Sequence, residues 1–301
     1  MDEQFTAIRN RIIDEIFFAL GLGRSSGWRR ALGPLFYLPA DHLARIGTIL
    51  EEEAPRSGLS GASKRALPEL SLNPTLYGVE RIPREGPVLI VCNHPGAYDS
   101  LVVTASIPRR DLKLVVSDVG FTHALQACSH DFIFVSTDTT ERMGALRESI
   151  THLRNGGALL IFANGEVEPD PAIMPGADQT IAGWSRSLEI MLRKVPSCWL
   201  QVTIACGMLL PKFVHSPLTR IRRMPFHRQK MGELLQILQQ MVFPHSIQLH
   251  PRVSFALPVC ASDLPRDGMM EDVIRRARLL LEEHVVRFES GKTSGTFEGT
   301  S

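Results

Sequence analysis

The sequence predicts an α/β fold, a layered domain whose central, mostly parallel sheet is flanked by helices and preceded by an N-terminal helical segment. Three observations carry this prediction. Short apolar runs recur at 88–92, 112–117, 132–135, 158–162, 199–206 and 246–256. Helix-like segments over 98–107, 139–154 and 179–194 separate most of them, and strand–helix alternation at this spacing is what parallel strands with crossover helices require. The chain has 301 residues, 44% hydrophobic and 22% charged, enough apolar side chain for a sizeable core and too much for disorder.

Residues 5–20 place Phe5, Ile8, Ile12, Ile13, Ile16, Phe17 and Leu20 on one helical face, with Arg9, Arg11, Asp14 and Glu15 on the other. A Gly/Ser hinge at 21–27 leads to Trp28-Arg29-Arg30 and the cluster Leu35-Phe36-Tyr37-Leu38, and a second helix is expected from about Asp41 to Glu53. These helices can pack on the main domain or lie at a headgroup boundary, where arginine-flanked apolar faces are stable. Pro, Ser, Gly and Ala dominate 54–74, which reads as a linker to an α/β domain over 75–289. Asp138 followed by Glu141 suits a capping-box start for the helix from 139. Val273, Ile274, Ala277, Leu280, Leu281 and Phe288 outline a last amphipathic helix, and the polar residues 290–301 read as a disordered tail.

Bulk properties exclude several classes. Lys and Arg number 33 against 32 Asp and Glu, a balance that gives no support to nucleic-acid binding. The five cysteines, Cys92, Cys128, Cys198, Cys206 and Cys260, are scattered, odd in number and free of any Cys-x-x-Cys pair, so a disulfide framework or zinc ribbon is not expected and a reducing cytosol is. The start Met-Asp-Glu-Gln lacks the basic and apolar regions of a signal peptide, and no apolar run reaches the length of a spanning helix. Gly21-x-Gly23-x-x-x-Gly27 follows a helix where a nucleotide loop follows a strand. Gly183-Trp184-Ser185-Arg186-Ser187 lacks the second glycine of a nucleophile elbow.

The informative stretch runs from Val88 to Ser100. An apolar strand ends at Cys92, Asn93-His94-Pro95-Gly96 turns the chain, and a helix begins near Tyr98. His94 therefore stands at the carboxyl end of a strand, where open α/β sheets place their ligands. Asp99 falls in the first turn of the following helix, within reach of the imidazole once the chain reverses. A carboxylate accepting from one ring nitrogen fixes the tautomer and leaves the other nitrogen free as a base.

Asn93-His94-x-x-x-x-Asp99, preceded by Gly78-Val79-Glu80-Arg81-Ile82-Pro83 and Gly86-Pro87, resembles the glycerolipid acyltransferase superfamily over roughly 75–210. The resemblance implies that His94 removes a proton from an acceptor hydroxyl while Asp99 orients it, and that the hydroxyl attacks a thioester of acyl-CoA or acyl-carrier protein. It implies no metal and no redox cofactor. Asn93 and Gly96 fall in the same motif and are expected at the substrate.

Later blocks depart from the family pattern. Thr137 stands where the family's second block carries a phosphate-binding arginine, with Arg142 one turn further on. The third block, normally Phe-Pro-Glu-Gly, is Phe162-Ala163-Asn164-Gly165-Glu166 here, so Asn164 replaces the glutamate. The strand near 199–207 lacks the usual proline-centred pattern. Retained catalysis with altered acceptor residues implies an acceptor other than glycerol 3-phosphate, bound through Thr137, Arg142, Asn164, Gly165 and Glu166. The acidic loop Glu166-Val167-Glu168-Pro169-Asp170 reads as solvated or substrate-facing, with Glu166 the acidic group best placed for an acceptor hydroxyl. A hydrolase and a non-catalytic lipid-binding protein are the two alternative readings.

Six cations, Lys212, Arg220, Arg222, Arg223, Arg228 and Lys230, lie in one run without an acidic residue. Besides a solvated loop, this suits anionic headgroups or CoA phosphates, with Arg220, Arg222 and Arg223 as contacts. The expected setting is cytoplasmic and peripheral, on the inner face of a membrane, with a thioester donor and a lipid-like acceptor as partners.

Overall fold

Apolar runs too short for helices became the strands of one sheet. In the computed structural model, which describes residues 3–19, 33–118, 120–136, 138–220 and 225–294, the strands are β1 (Thr75–Tyr77), β2 (Val88–Cys92), β3 (Leu112–Ser117), β4 (Phe132–Val135), β5 (Ala158–Phe162), β6 (Trp199–Cys206), β7 (Arg252–Phe255) and β8 (Val259–Cys260). Their order is β1-β7-β6-β2-β5-β3-β4, with β8 on β6. Pairs β2–β5, β2–β6, β3–β4, β3–β5 and β1–β7 are parallel, and β7 and β8 run antiparallel to β6. The mostly parallel sheet is thus as expected. All five β2 side chains are buried, which is why that segment reads as an unbroken apolar run.

Alternation along β2 divides the core in two. Val88, Ile90 and Cys92 face a layer made by α1 (Glu3–Ala19), α2 (Tyr37–Ala66) and α3 (Asp99–Ser106). Leu89 and Val91 face α4 (Thr139–Arg154), α5 (Ser187–Lys194) and α7 (Met269–Ser294). A further helix, α6 (Pro225–Val242), packs beside α2 and carries part of the first layer. Asp138 Oδ1 accepts from the backbone N–H groups of Thr140 and Glu141, so it does cap α4, while its own N–H donates to Ser136 Oγ instead of to Glu141.

Several boundaries differ from expectation. Residues 54–74 are not a linker: α2 continues to Ala66, a 3-10 turn covers Leu67–Leu70, and β1 follows. Ala54, Leu59, Ser60, Ala62, Ser63 and Ala66 are buried there. The small size of the alanines and serines, which looks like linker composition, permits close approach of α2 to α3. Gly58 breaks the helix at φ +70, and a Cβ on it would stand 2.6 Å from Arg110 O. The helix expected over 179–194 is two, Ala177–Ile181 and α5, separated by a turn at Gly183 and Trp184. The run 246–256 forms a strand only from Arg252, and α7 extends to Ser294, so 290–294 are helical instead of a tail. Residues 21–27 and 295–301 lie outside the described residues.

The apolar face of α1 turns inward. Ile8, Ile12, Ile13 and Phe17 are buried against α2, so this face serves the chain's own core. Of the 35–38 cluster, Tyr37 and Leu38 are exposed, Leu38 at 80%. No helix among the described residues is long and apolar enough to cross a membrane.

Candidate active site

Strand β2 lies in mid-sheet between two parallel neighbours, so its carboxyl end opens where the helices on either side diverge. Asn93, the first residue beyond it, is buried. Its Nδ2 donates to Ala205 O at 2.9 Å and its Oδ1 accepts from Ala205 N at 2.8 Å. Both polar ends of Asn93 are thereby spent on β6, so the expectation that it contacts substrate is corrected: Asn93 pins the turn.

His94 follows. Its Nδ1–H donates to Asp99 Oδ2 at 2.6 Å, and its ring stacks on Phe162 with centroids 4.7 Å apart. Nε2 has no partner among the described residues. Asp99 is fully buried, its Oδ2 also accepts from Gly96 N at 3.1 Å, and its Oδ1 is buried unpaired. Gly96 thus holds the carboxylate in place. Burial alone pushes the imidazole pKa down, but the charge and hydrogen bond of Asp99, with the Glu233 and Glu168 carboxylates, outweigh it and the net shift is upward.

The acidic loop is not solvated as expected. Only Glu166 is exposed, and it does not line the cavities described below. Glu168 is buried, accepting from His94 N at 2.8 Å and from Trp184 Nε1 at 3.3 Å, while its own N–H donates to His94 O at 2.6 Å. Asp170 is fully buried and accepts from the backbone N–H groups of Ala172, Gly207 and Met208. Burial raises the pKa of both, that of Asp170 to about 6. These two carboxylates fix the loop against the His94 turn and against the end of β6. A carboxylate two residues from the next with proline between was their only sequence signal.

Two cavities share lining residues, and His94 lines the smaller of them. The larger, about 710 Å³, is lined almost wholly by apolar side chains, among them Ile12, Phe36, Leu50, Leu101, Phe132 and Ile237. The smaller, about 380 Å³, is more polar and is lined by His94, Arg142, Asn164, Gly165, Ser185 and Ser187 among others. Ser100, Leu114 and Val116 line both. Arg142, Asn164 and Gly165 therefore line the same cavity as His94. Gly165 sits at φ +76 in the turn that ends β5, where a side chain would be strained. Thr137, Arg222 and Arg223 lie outside the described residues, and Arg220 ends the short helix Pro217–Arg220.

Residues of α6 were not anticipated. Gln229, Gln236 and Gln240 are buried on one side of it, and Glu233 lies between them. Gln229 Nε2 donates to Pro95 O at 3.0 Å, Glu168 O at 2.9 Å and Glu233 Oε1 at 3.1 Å. Gln236 bonds Met208 O and Leu210 N, and Gln240 bonds Leu70 O and the Tyr98 hydroxyl. Spacing of four, three and four residues puts these side chains in one stripe, a polar stripe that faces inward.

The His94–Asp99 pair, with Asp99 fully buried and His94 partly exposed, stands at the end of a central parallel strand and opens onto the polar cavity. Residues 73–182, which contain the pair and Asn164-Gly165, match the family model described as Acyltransferase. In fold, the chain is similar to the 1-acyl-sn-glycerophosphate (LPA) acyltransferase PlsC from Thermotoga maritima, with a TM-score of 0.50 at 14% identity over 95% of this chain and 93% of that one. No curated protein matches the chain. Residues 73–182 are thus similar to acyltransferases in sequence, and the likeness to the solved structure is one of fold.

Proposed function

We propose that the chain moves a fatty acyl group from a thioester, acyl-CoA or acyl-carrier protein, to a hydroxyl of a lipid-like acceptor. An apolar cavity that shares Ser100, Leu114 and Val116 with the polar cavity lined by His94 is the observation that carries this reading. The apolar cavity takes the acyl chain, and its volume falls within the ordinary range for small-molecule sites. Tethered to Asp99, His94 Nε2 accepts the proton of the acceptor hydroxyl as its oxygen bonds to the thioester carbon. The carbon–sulfur bond breaks and the departing thiolate takes the proton from His94, so atoms and charge balance without a protein nucleophile or a metal.

Arg142 is the cation among the smaller cavity's lining residues, with Ser117, Ser149, Ser185 and Ser187 as hydroxyl partners. Together with Asn164 in the glutamate position this favours an acceptor other than glycerol 3-phosphate. Attachment is peripheral, at the cytoplasmic face of a membrane. Exposed Tyr37 and Leu38 adjoin Phe36 of the acyl cavity, and the basic segment 212–230 supplies attraction for anionic headgroups.

The test is incubation with labelled acyl-CoA and a mixed panel of acceptors, with products identified by mass. Transfer should depend on His94, and His94→Ala should abolish it while lipid binding persists. Undiminished transfer by that variant would overturn the mechanism. Faster acylation of glycerol 3-phosphate than of any other acceptor would overturn the acceptor assignment, and free fatty acid as sole product would make the chain a hydrolase.

A further inference from the structure

Helix α6 lies outside the 73–182 match, yet it hydrogen-bonds the turn that carries His94. Gln229 grips the carbonyl of Pro95, the residue after His94, and the carbonyl of Glu168, whose side chain holds His94 N. One turn on, Glu233 Oε1 accepts from Gln229 and lies against Gly96, where a Cβ would stand 3.2 Å from it. Gly96 in turn donates to Asp99 Oδ2. A second carboxylate therefore stands behind the His94–Asp99 pair, and no hydrogen bond fixes His94 to it directly among the described residues.

We propose that Glu233 is a positioning residue: through Gln229 it helps clamp the Pro95–Gly96 turn, and its charge, added to that of Asp99, sets how tightly His94 holds the proton it takes. The consequence for rate rests on the acyl-transfer reading; the electrostatic claim does not. The groups facing Glu233 are His94, Tyr98 and Asp99 from the β2–α3 turn and Asp170 from the loop after β5, and Glu168 faces His94 from that same loop. Burial pushes the Glu233 pKa up to about 7, its Gln229 bond opposes this, and Asp99 adds to it. Glu233 thus ionises in the same range as an imidazole and is coupled to it, since each favours the charged form of the other. Glycine at 96 is part of the same arrangement, because a Cβ there would press on the carboxylate at 3.2 Å.

The experiment follows the ¹⁵N resonances of the His94 ring against pH, assigned by comparison with His94→Ala, in the unaltered chain and in Glu233→Gln and Glu233→Asp. Glu233→Gln keeps an acceptor for Gln229 and removes the charge, so the His94 pKa should fall by about 1 unit, the lower end of what a neighbouring charge produces. Glu233→Asp should retain most of the shift. The acidic limb of kcat/KM should move with the resonance. A His94 titration unchanged by Glu233→Gln would overturn the proposal, as would equal effects of the two variants. Should neither variant fold, the Glu233 carboxyl ¹³C signal of the unaltered chain decides: it must titrate near neutrality with an inflection shared with His94, and a single step in the ordinary glutamate range would overturn the claim. Loss of the functional reading would look different, since a chain that transfers no acyl group to any acceptor can still show the His94 shift.

Discussion

Replacing Asn93 with Ala separates an anchoring role from a substrate-binding one. The side chain is 3% exposed and makes two bonds, 2.9 Å to Ala205 O and 2.8 Å from Ala205 N. Removing it strands one buried backbone donor and one acceptor, each worth about 1–3 kcal/mol when left unpaired. Ala205 sits in β6 beside β7, with 0% exposure, so water reaches the vacated space poorly. Loss of the pair should therefore cost about 3 kcal/mol in stability, the lower half of the summed range because such terms are not strictly additive. For a chain of this size a urea slope of roughly 3 kcal/mol per molar places the midpoint about 1 M lower than in the unaltered protein. Urea unfolding followed by tryptophan fluorescence reads that shift, and initial rates below the transition read KM for donor and acceptor. Destabilisation with KM changed less than about threefold, under 1 kcal/mol of binding, is the expected pattern. An unmoved midpoint together with a KM raised by about tenfold or more, at least 1.4 kcal/mol of lost binding, would refute the anchoring argument and return Asn93 to the substrate.

Two further outcomes are expected. Ser63 and Thr104 are small, buried and line the apolar cavity, so Ser63→Leu or Thr104→Leu should shorten the preferred acyl chain by about two carbons, each buried CH₂ being worth about 0.8 kcal/mol; an acyl-CoA length series reads this, and an unchanged preference would place the chain elsewhere. His284 is 2% exposed, bonded to Ser254 Oγ and Cys206 Sγ, and burial with nearby arginines lowers its pKa to about 4 from 6.5. The unfolded chain protonates it first, so this stability contribution is intact above pH 6.5 and is lost progressively as pH falls towards 4, by as much as about 3 kcal/mol. Asp170 works the opposite way, so the effect is read as the difference between the unaltered chain and His284→Gln. Parallel stability profiles from pH 7 to 4 would show that His284 is not held neutral.

What the sequence made legible follows from how local the physics was. Strand β2 and the His94–Asp99 pair were readable because five buried residues in a row demand a central strand, and a turn plus the first residue of a helix returns the carboxylate to the imidazole. Residues 54–66 were misread because Ala, Ser and Gly have the same composition in a linker as in a helix packed closely against another, and only the partner α3 distinguishes them. Glu168 and Asp170 were placed in a solvated or substrate-facing loop because most of their partners are backbone N–H groups, which leave no mark in sequence. Gln229 acts on Pro95 from 134 positions away. Its stripe with Glu233, Gln236 and Gln240 did carry a helical period, but hydrophobic periodicity is ordinarily searched for the apolar face, and here the polar face is also buried.

That double burial gives α6 a place in the proposed chemistry. One side of the helix lends Leu234, Ile237, Leu238 and Met241 to the apolar cavity, while Gln229 and Glu233 hold the turn that carries the base. A thioester carbonyl must lie where an acyl chain in that cavity ends and within reach of His94 Nε2, so one helix sets both distances. Water that approaches that carbonyl through the polar cavity crosses the space the acceptor itself occupies. Transfer is then favoured over hydrolysis by occupancy instead of by a closed lid: a bound acceptor displaces the competing water and presents its hydroxyl to the same nitrogen. Hydrolysis of acyl-CoA should accordingly fall as acceptor concentration rises, in proportion to the sites filled, and hydrolysis insensitive to saturating acceptor would mean that water reaches His94 by another path.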